Sequence, residues 1–411
     1  LLASRRRLPL PALAAGLAVL ALVIVCAAVA WPGDSPLVPR NGGHPEGDAT
    51  WAWIFLGSAL AALAAYGLGL LALARSHAGL GAVAALAVAI QFAPLAAPLL
   101  ISTDAWTYWG YGRIAAVQDG NPYREPPEEF PDDPAFPHLG EDWRDTTSVY
   151  GPGFTLASEP IALAAGESED AAAWIYKTIA AVASLGAALL AALLARRRAL
   201  ACAFAGWNPL LALHLAGGGH NDAWLAVLVM GALAFGVFGR PRAAGATWAL
   251  AVLVKWVPLL FLPLHLLEAR ANGRRVGLAG FAIAFAVVLA LATWRYEWHW
   301  LSAFGPLAAN AAEETSYAIP HRLQELGLPR PVALGLCLGG FAVAYVALLR
   351  RARQGEERLA LAGGIFLLAT PWLAAWYMAW VVPLAAAEED RVARVLAFAL
   401  CVYLMPQAVP T

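Results

Sequence analysis

Nine stretches of this chain are apolar for about the length that crosses a bilayer as a helix, roughly 18–20 residues. They lie near 9–31, 51–74, 79–101, 171–195, 199–216, 222–239, 276–293, 331–349 and 391–410. Two further apolar regions, 243–267 and 359–384, have polar or proline-bearing centres, and 154–166 is too short for an ordinary crossing. Charged residues make up 13% of the chain, against about 25% in a soluble globular protein. Those that remain sit in short runs between the apolar stretches. The pattern predicts an all-α integral membrane protein with roughly 11–13 transmembrane or re-entrant helices. It excludes a soluble enzyme and a disordered chain. A formal net charge of −1 leaves no footprint for nucleic acid.

Basic residues favour the cytoplasmic side. Arg5–Arg7 place the N-terminus inside, with the first run read as a retained helix rather than a signal peptide. Arg75, Arg196–Arg198, Arg240, Arg242, Arg270, Arg274, Arg275, Arg350, Arg351 and Arg353 then fall inside too. Two consequences follow from the alternation. Segment 154–166 makes no net crossing, and 243–267 enters and returns, with Lys255-Trp256-Val257-Pro258 at its apex. Region 359–384 either does the same around Pro371 or crosses once. The polarity collects outside. Loop 102–152 carries ten acidic and three basic residues, a balance of −7, and a second long external loop covers 294–330. The four cysteines stand singly in apolar runs, which suits packing rather than disulfides or zinc.

Five groups of residues can carry chemistry. Asp104, Tyr108 and Tyr111 fall at helical spacing on one face just beyond the third span. A carboxylate beside aromatics can take a proton from a sugar hydroxyl. The same residues also fit a capped amphipathic helix lying on the bilayer. Gly217-Gly218-Gly219-His220-Asn221-Asp222 offers donors and acceptors to a polyol, or a helix cap; one His and one Asp are too few for a metal site. Lys255 stands in an apolar region, where an ammonium needs a partner or a polar cavity, and it suits a lipid-linked phosphate better than simple snorkelling. Arg295, His321 and Arg322 are external cations near Tyr317, against the positive-inside trend, and point to an anion; Trp298 and Trp300 read as an interfacial belt. Trp372, Trp376 and Trp380 would share one helical face over about 12 Å, lining a groove or packing between helices.

Taken in order, these residues resemble a family. Asp104…Tyr108…Gly112-Arg113…Gly120-Asn121-Pro122-Tyr123 is followed by Trp143-Arg144-Asp145-Thr146…Ser148-Val149-Tyr150-Gly151-Pro152. Next come Gly219-His220-Asn221-Asp222, Val254-Lys255-Trp256-Val257-Pro258, Ser316-Tyr317…Pro320-His321 and Pro371-Trp372…Trp376-Tyr377…Trp380. The series is similar to the polyprenol-phosphate-mannose-dependent α-1,6-mannosyltransferases of actinobacteria, within the GT-C class of membrane glycosyltransferases. Trp224 and Trp256 depart from that family's usual residues.

The resemblance implies a GT-C fold as a single polytopic domain over 1–411. Extracytoplasmic jaw helices would form from 104–118 and 154–166, within an external catalytic loop 102–170. It implies an inverting transfer of a sugar, mannose first, from a polyprenyl-phosphate donor to a glycolipid or lipoglycan acceptor. The active site would face outward from the plasma membrane, with neither cofactor nor metal. Asp104 would be the general base. Lys255, Arg322, His321 and Arg113 would hold the donor phosphate. Tyr108, Tyr111, His220, Asn221, Asp222, Tyr317, Trp372 and Trp376 would bind sugar or acceptor. A transporter or lipid-linked sugar flippase is the alternative, with Lys255, His220 and Asp222 on its route.

Overall fold

The computed structural model describes residues 8–43 and 45–411. The first orientation marker, Arg5–Arg7, lies outside the described residues. The protein is an all-helical integral membrane protein. Five helices are long and apolar enough to cross a bilayer: Leu10–Ala28, Ala49–Ala74, Glu169–Leu194, Leu278–Tyr296 and Arg330–Arg353. At 1.5 Å per residue they span roughly 28–39 Å. A bent pair, Arg198–Gly206 with Pro209–Gly217, turned by 42°, is long and apolar enough only when taken together, as a broken span or a re-entrant loop. The bend has a local cause. Pro209 has no N–H to give the preceding turn, and the Asn208 side chain accepts from the backbone N–H of Leu210 and Leu211 to start the second limb.

Other expected spans appear as shorter apolar helices: Leu80–Ala96, Asp222–Val237, Pro241–Val254 and Leu359–Ala369. The run 391–410 contains a helix of only 14 residues, Arg391–Leu404. The count of 11–13 therefore describes apolar runs, of which five form full-length helices and the rest are short or broken.

Region 243–267 forms a pair of short helices. Pro241–Val254 ends at Lys255, whose backbone is extended (φ −155°, ψ 141°). A single 3-10 turn follows over Val257–Leu260, then the returning helix Leu262–Ala271. The two limbs face each other, with Trp248 and His265 ring centroids 5.4 Å apart. Region 359–384 also turns back. Glu388, at the end of its return limb, accepts from the backbone N–H of Leu359 at 2.7 Å and of Ala360, the first residues of its outgoing helix. Arg358 and Asp390 close the same mouth at 2.5 Å. Between the limbs, Ala375–Trp380 is a 3-10 helix preceded by non-helical Thr370–Ala374. Trp372, Trp376 and Trp380 consequently do not share one continuous α-helical face. The proline at 371 and the following break interrupt it.

The mouths of both hairpins join the basic end of the bundle. Arg197 donates to the carbonyls of Leu73 and Ala74, and its backbone N–H to Glu389. His265 pairs with Glu357 at 2.9 Å, and Arg274 with Glu268. The 26-residue helix Glu169–Leu194 separates this end from the opposite one. There Lys177 donates to the carbonyls of Ala97 and Pro98, fastening the stretch that leads to Asp104.

The acidic loop is folded tightly over that opposite end. Helix Asp104–Ala116 packs on helix Pro152–Ala165. A Cβ on Gly112 would lie 2.6 Å from the Ser158 carbonyl oxygen, so only glycine permits this approach. Every residue from Ala105 to Ala115 is buried. This overturns the reading of an amphipathic helix lying on the bilayer, which would leave one face open.

Candidate active site

Asp104 opens its helix, and its backbone N–H donates to the Ser102 hydroxyl. Its Oδ2 accepts from the Tyr108 hydroxyl at 3.1 Å, the one-turn spacing seen in the sequence. The same oxygen lies 3.0 Å from His220 Nδ1. The His220 ring in turn lies 3.9 Å from Trp376, within 12° of parallel. No protein group bonds Oδ1 among the described residues, so one oxygen is held and the other is open. Burial acts to raise the Asp104 pKa, yet His220, Lys255 and Tyr108 favour the anion and bring it below the ordinary 3.8. Burial and the Asp104 charge push the Tyr108 hydroxyl well above its usual range, so it remains a donor.

Lys255 is aimed by the break that ends its helix. Its Nζ donates to Asp222 Oδ1 at 2.8 Å, and Trp380 Nε1 donates to the same oxygen at 2.6 Å. The ammonium also lies 5.2 and 5.5 Å from the ring centroids of Tyr377 and Trp380, which stack on each other. Its side chain is 20% exposed while that of Asp222 is fully buried.

Asp104 and Lys255 line one cavity of about 470 Å³. Its walls come from the apices of both hairpins, the acidic loop and the helix Phe304–Ala312. Trp256, Trp372, Trp376, Tyr377 and Trp380 supply aromatic surface; Leu260, Leu307 and Phe366 make one side apolar. Thus two broken helices bring chemistry to a common space, as irregular backbone at membrane depth does when it lines a cavity.

Several sequence expectations are displaced. His220, Asn221 and Asp222 are fully buried and stand behind the cavity wall, holding Asp104 and Lys255. Both side-chain polar atoms of Asn221 are buried without a partner, as are His220 Nε2 and Asp222 Oδ2. Tyr108 and Tyr111 are buried beneath Asp104, and Tyr111 donates to the Thr146 carbonyl. Arg113 does not reach the cavity. It pairs with Asp133 at 2.8 Å and donates to the Gly166 carbonyl, because a guanidinium buried in the helix pair needs a local anion. Arg322 is bound to Glu325 and Tyr403, and its guanidinium covers the Tyr317 ring. His321 sits 3.7 Å from both Glu314 and Glu325. None of Tyr317, His321 and Arg322 lines the cavity; acidic neighbours on their own loop account for His321 and Arg322, and Glu159 of helix Pro152–Ala165 accounts for Arg295. From that second loop the cavity takes Leu307 and Asn310 instead. Neither carried a sequence signal, since both lie in an unremarkable apolar stretch. Trp143, Tyr150 and Thr370 also line the space, and of these Trp143 and Tyr150 lay within the motif series.

Fold and cavity together define a polytopic all-helical membrane protein with a paired carboxylate–imidazole and lysine–carboxylate site. The chain belongs to the α-(1→6)-mannopyranosyltransferase family. Residues 12–270 match the family described as "Alpha-(1->6)-mannopyranosyltransferase, N-terminal domain". It is 24% identical over 336 residues to "Alpha-(1->6)-mannopyranosyltransferase A" of Corynebacterium glutamicum, covering 70% of this chain and 67% of that one. Against the protein of the same name from Mycobacterium tuberculosis it is 25% identical, covering 71% and 64%. A "Probable alpha-(1->6)-mannopyranosyltransferase" of Mycolicibacterium smegmatis is 30% identical over 48% of this chain and 34% of the relative. The matched part of the chain thus spans about two thirds or less of these relatives. No solved structure matches the chain.

Proposed function

We propose that this protein is an inverting mannosyltransferase that takes its sugar from a polyprenyl phosphate. The observation that carries the reading is the shared cavity: an ionised carboxylate with one free oxygen and an ammonium stand on the same walls. Asp104 accepts the proton of the acceptor hydroxyl through Oδ1. The hydroxyl oxygen bonds to the anomeric carbon as the bond from that carbon to the phosphate oxygen breaks. The electron pair leaves with the polyprenyl phosphate, and its added negative charge develops beside Lys255. A cation there stabilises the transition state more than the ground state. One inversion of a β-linked mannosyl phosphate yields an α-mannoside, in keeping with the family's name.

Asp222 balances Lys255 while the cavity is empty and shares it with the phosphate when the donor is bound. His220 and Tyr108 hold Asp104 in place. The apolar side near Leu260, Leu307 and Phe366 suits the first isoprene units of the carrier. The cationic clusters sit at the far end of the bundle, which supports an outward-facing site and a multi-pass protein in the plasma membrane. A glycolipid or lipoglycan is the acceptor.

The direct test is to reconstitute the purified protein in proteoliposomes with polyprenyl-phosphate mannose and a mannose-bearing acceptor, and to weigh the product. A mass gain of one hexose, with release of polyprenyl phosphate, is expected. Absence of any transfer from this donor overturns the reading.

A further inference from the structure

At the basic end of the bundle, opposite the donor cavity, lies a second cavity of about 420 Å³. We propose that it holds the phosphate and the first acyl carbons of an anionic phospholipid from the leaflet at that end. The site is separate from the transfer reaction and does not rest on the donor reading.

The cavity is built where a membrane span begins. One side is the first hairpin, with limbs Pro241–Val254 and Leu262–Ala271. The other is the start of helix Leu278–Tyr296, reached through Arg274-Arg275-Val276-Gly277. Only 6% of that helix's apolar window is buried inside the protein. Its first residue, Leu278, is 62% exposed and lines the cavity, as does exposed Leu266 on the hairpin. The cavity is therefore continuous with lipid-facing surface, at the depth where a span ends and headgroups begin.

Three features there suit an anion. Arg274 and Arg275 line the cavity, and among the described residues no aspartate or glutamate does. Arg274 is bound to Glu268, which Asn272 also holds, and Glu357 pairs with His265. Arg275 is exposed and has no carboxylate partner among the described residues. Next, the spanning helix starts at Gly277 without a side-chain cap. Its first-turn N–H groups and the positive end of its dipole are left for a ligand. Lastly, Trp248 lines the same cavity, is 3% exposed, and buries its indole N–H without a protein acceptor. A donor left in that state is costly, and a phosphate or ester oxygen would satisfy it. The rest of the wall is apolar, with Leu262, Leu266 and Phe281. A free phosphate would leave that surface uncovered; an acyl chain covers it. The positive-inside trend explains why arginines gather at this end, but not why they border an apolar cavity with an unsatisfied donor in its wall.

The test is native mass spectrometry of the full chain in detergent, titrated with dioleoylphosphatidylglycerol, dioleoylphosphatidylcholine or inorganic phosphate. One phosphatidylglycerol should be held about tenfold more tightly than phosphatidylcholine, and phosphate should not displace it. Arg275→Ala should weaken retention by about fivefold, the worth of one arginine at an anionic lipid surface. Trp248→Phe removes only the N–H and should weaken it by several-fold. Arg270→Ala removes an exposed arginine at the same end but outside the cavity, and should change retention by less than about twofold, because such charges are screened. Thermal melting of each variant checks the fold. Equal retention of the two lipids, retention unchanged by Arg275→Ala, or an equal loss in Arg270→Ala overturns the site. Displacement of the lipid by inorganic phosphate makes it a site for a soluble anion and overturns the lipid.

Discussion

His220 Nδ1 lies 3.0 Å from Asp104 Oδ2, across 116 residues of sequence, and the same imidazole ring is stacked on Trp376. A residue of the glycine-rich turn therefore links the opening of the jaw helix to the apex of the second hairpin. Asp104 is held in one rotamer by two donors, with its second oxygen left for substrate.

Asp104→Asn keeps the size and the contact with Tyr108 but cannot accept a proton. Transfer should fall by about 10²–10⁴-fold, the usual worth of a positioned general base. Donor binding should stay within a few-fold of wild type. Single-turnover transfer and a donor-binding isotherm on the same preparation check both halves.

His220→Ala should move the acid limb of the pH–rate profile upward. Burial raises the Asp104 pKa, and His220 is the strongest of the contacts that hold it below 3.8. Without His220 the carboxyl protonates at higher pH, so activity fails first on the acid side. His220→Gln, which can still donate, should restore part of the shift. The sign for stability agrees. A depressed carboxyl contributes stability above its unfolded value of about 3.9, and loses it as pH falls through the folded value. A profile of kcat/KM from pH 4 to 8 in steps of about half a unit decides the matter.

Lys255→Met leaves Asp222 buried with its charge uncompensated. Breaking such a pair from one side costs about 3–5 kcal/mol. The single variant should melt well below wild type and use donor poorly. Adding Asp222→Leu should recover most of the melting temperature, because both charges are then gone, while donor use stays low. A double-mutant cycle read by thermal unfolding and by donor KM separates the two effects.

Arg113→Met should behave differently. Arg113 is 4% exposed and bound to Asp133 and the Gly166 carbonyl, away from the donor cavity. The variant should lose folded protein on heating by the margin of a broken buried pair. The fraction that remains folded should keep its donor KM. A raised donor KM in that fraction would return Arg113 to the phosphate.

Much of the site was legible because its signals are local. Asp104 and Tyr108 meet at one-turn spacing, which any helix provides. Lys255 stands out because a charge in an apolar run demands a partner. Its placement at a helix break followed from the basic residues on both flanks and from Pro258. The partners themselves were not legible. Asp222 is 33 residues from Lys255, and Trp380 is 158 residues from Asp222. Nothing in either neighbourhood announces the other. Arg322 misled for a physical reason: an unusual external cation suggests an anion, and the anion turned out to be Glu325, three residues away on the same helix.

By itself the amino-acid sequence determined the class of the protein. Span-length apolar runs exclude water as the solvent of the fold, and the order of short motifs places the chain in its family. Tertiary structure decided which polar groups face the cavity and which stand behind it. That division depends on how two hairpins and an acidic loop pack together. Burial and charge pairing are properties of the assembled walls, where a carboxylate is left open or neutralised according to what another part of the chain brings within about 3 Å.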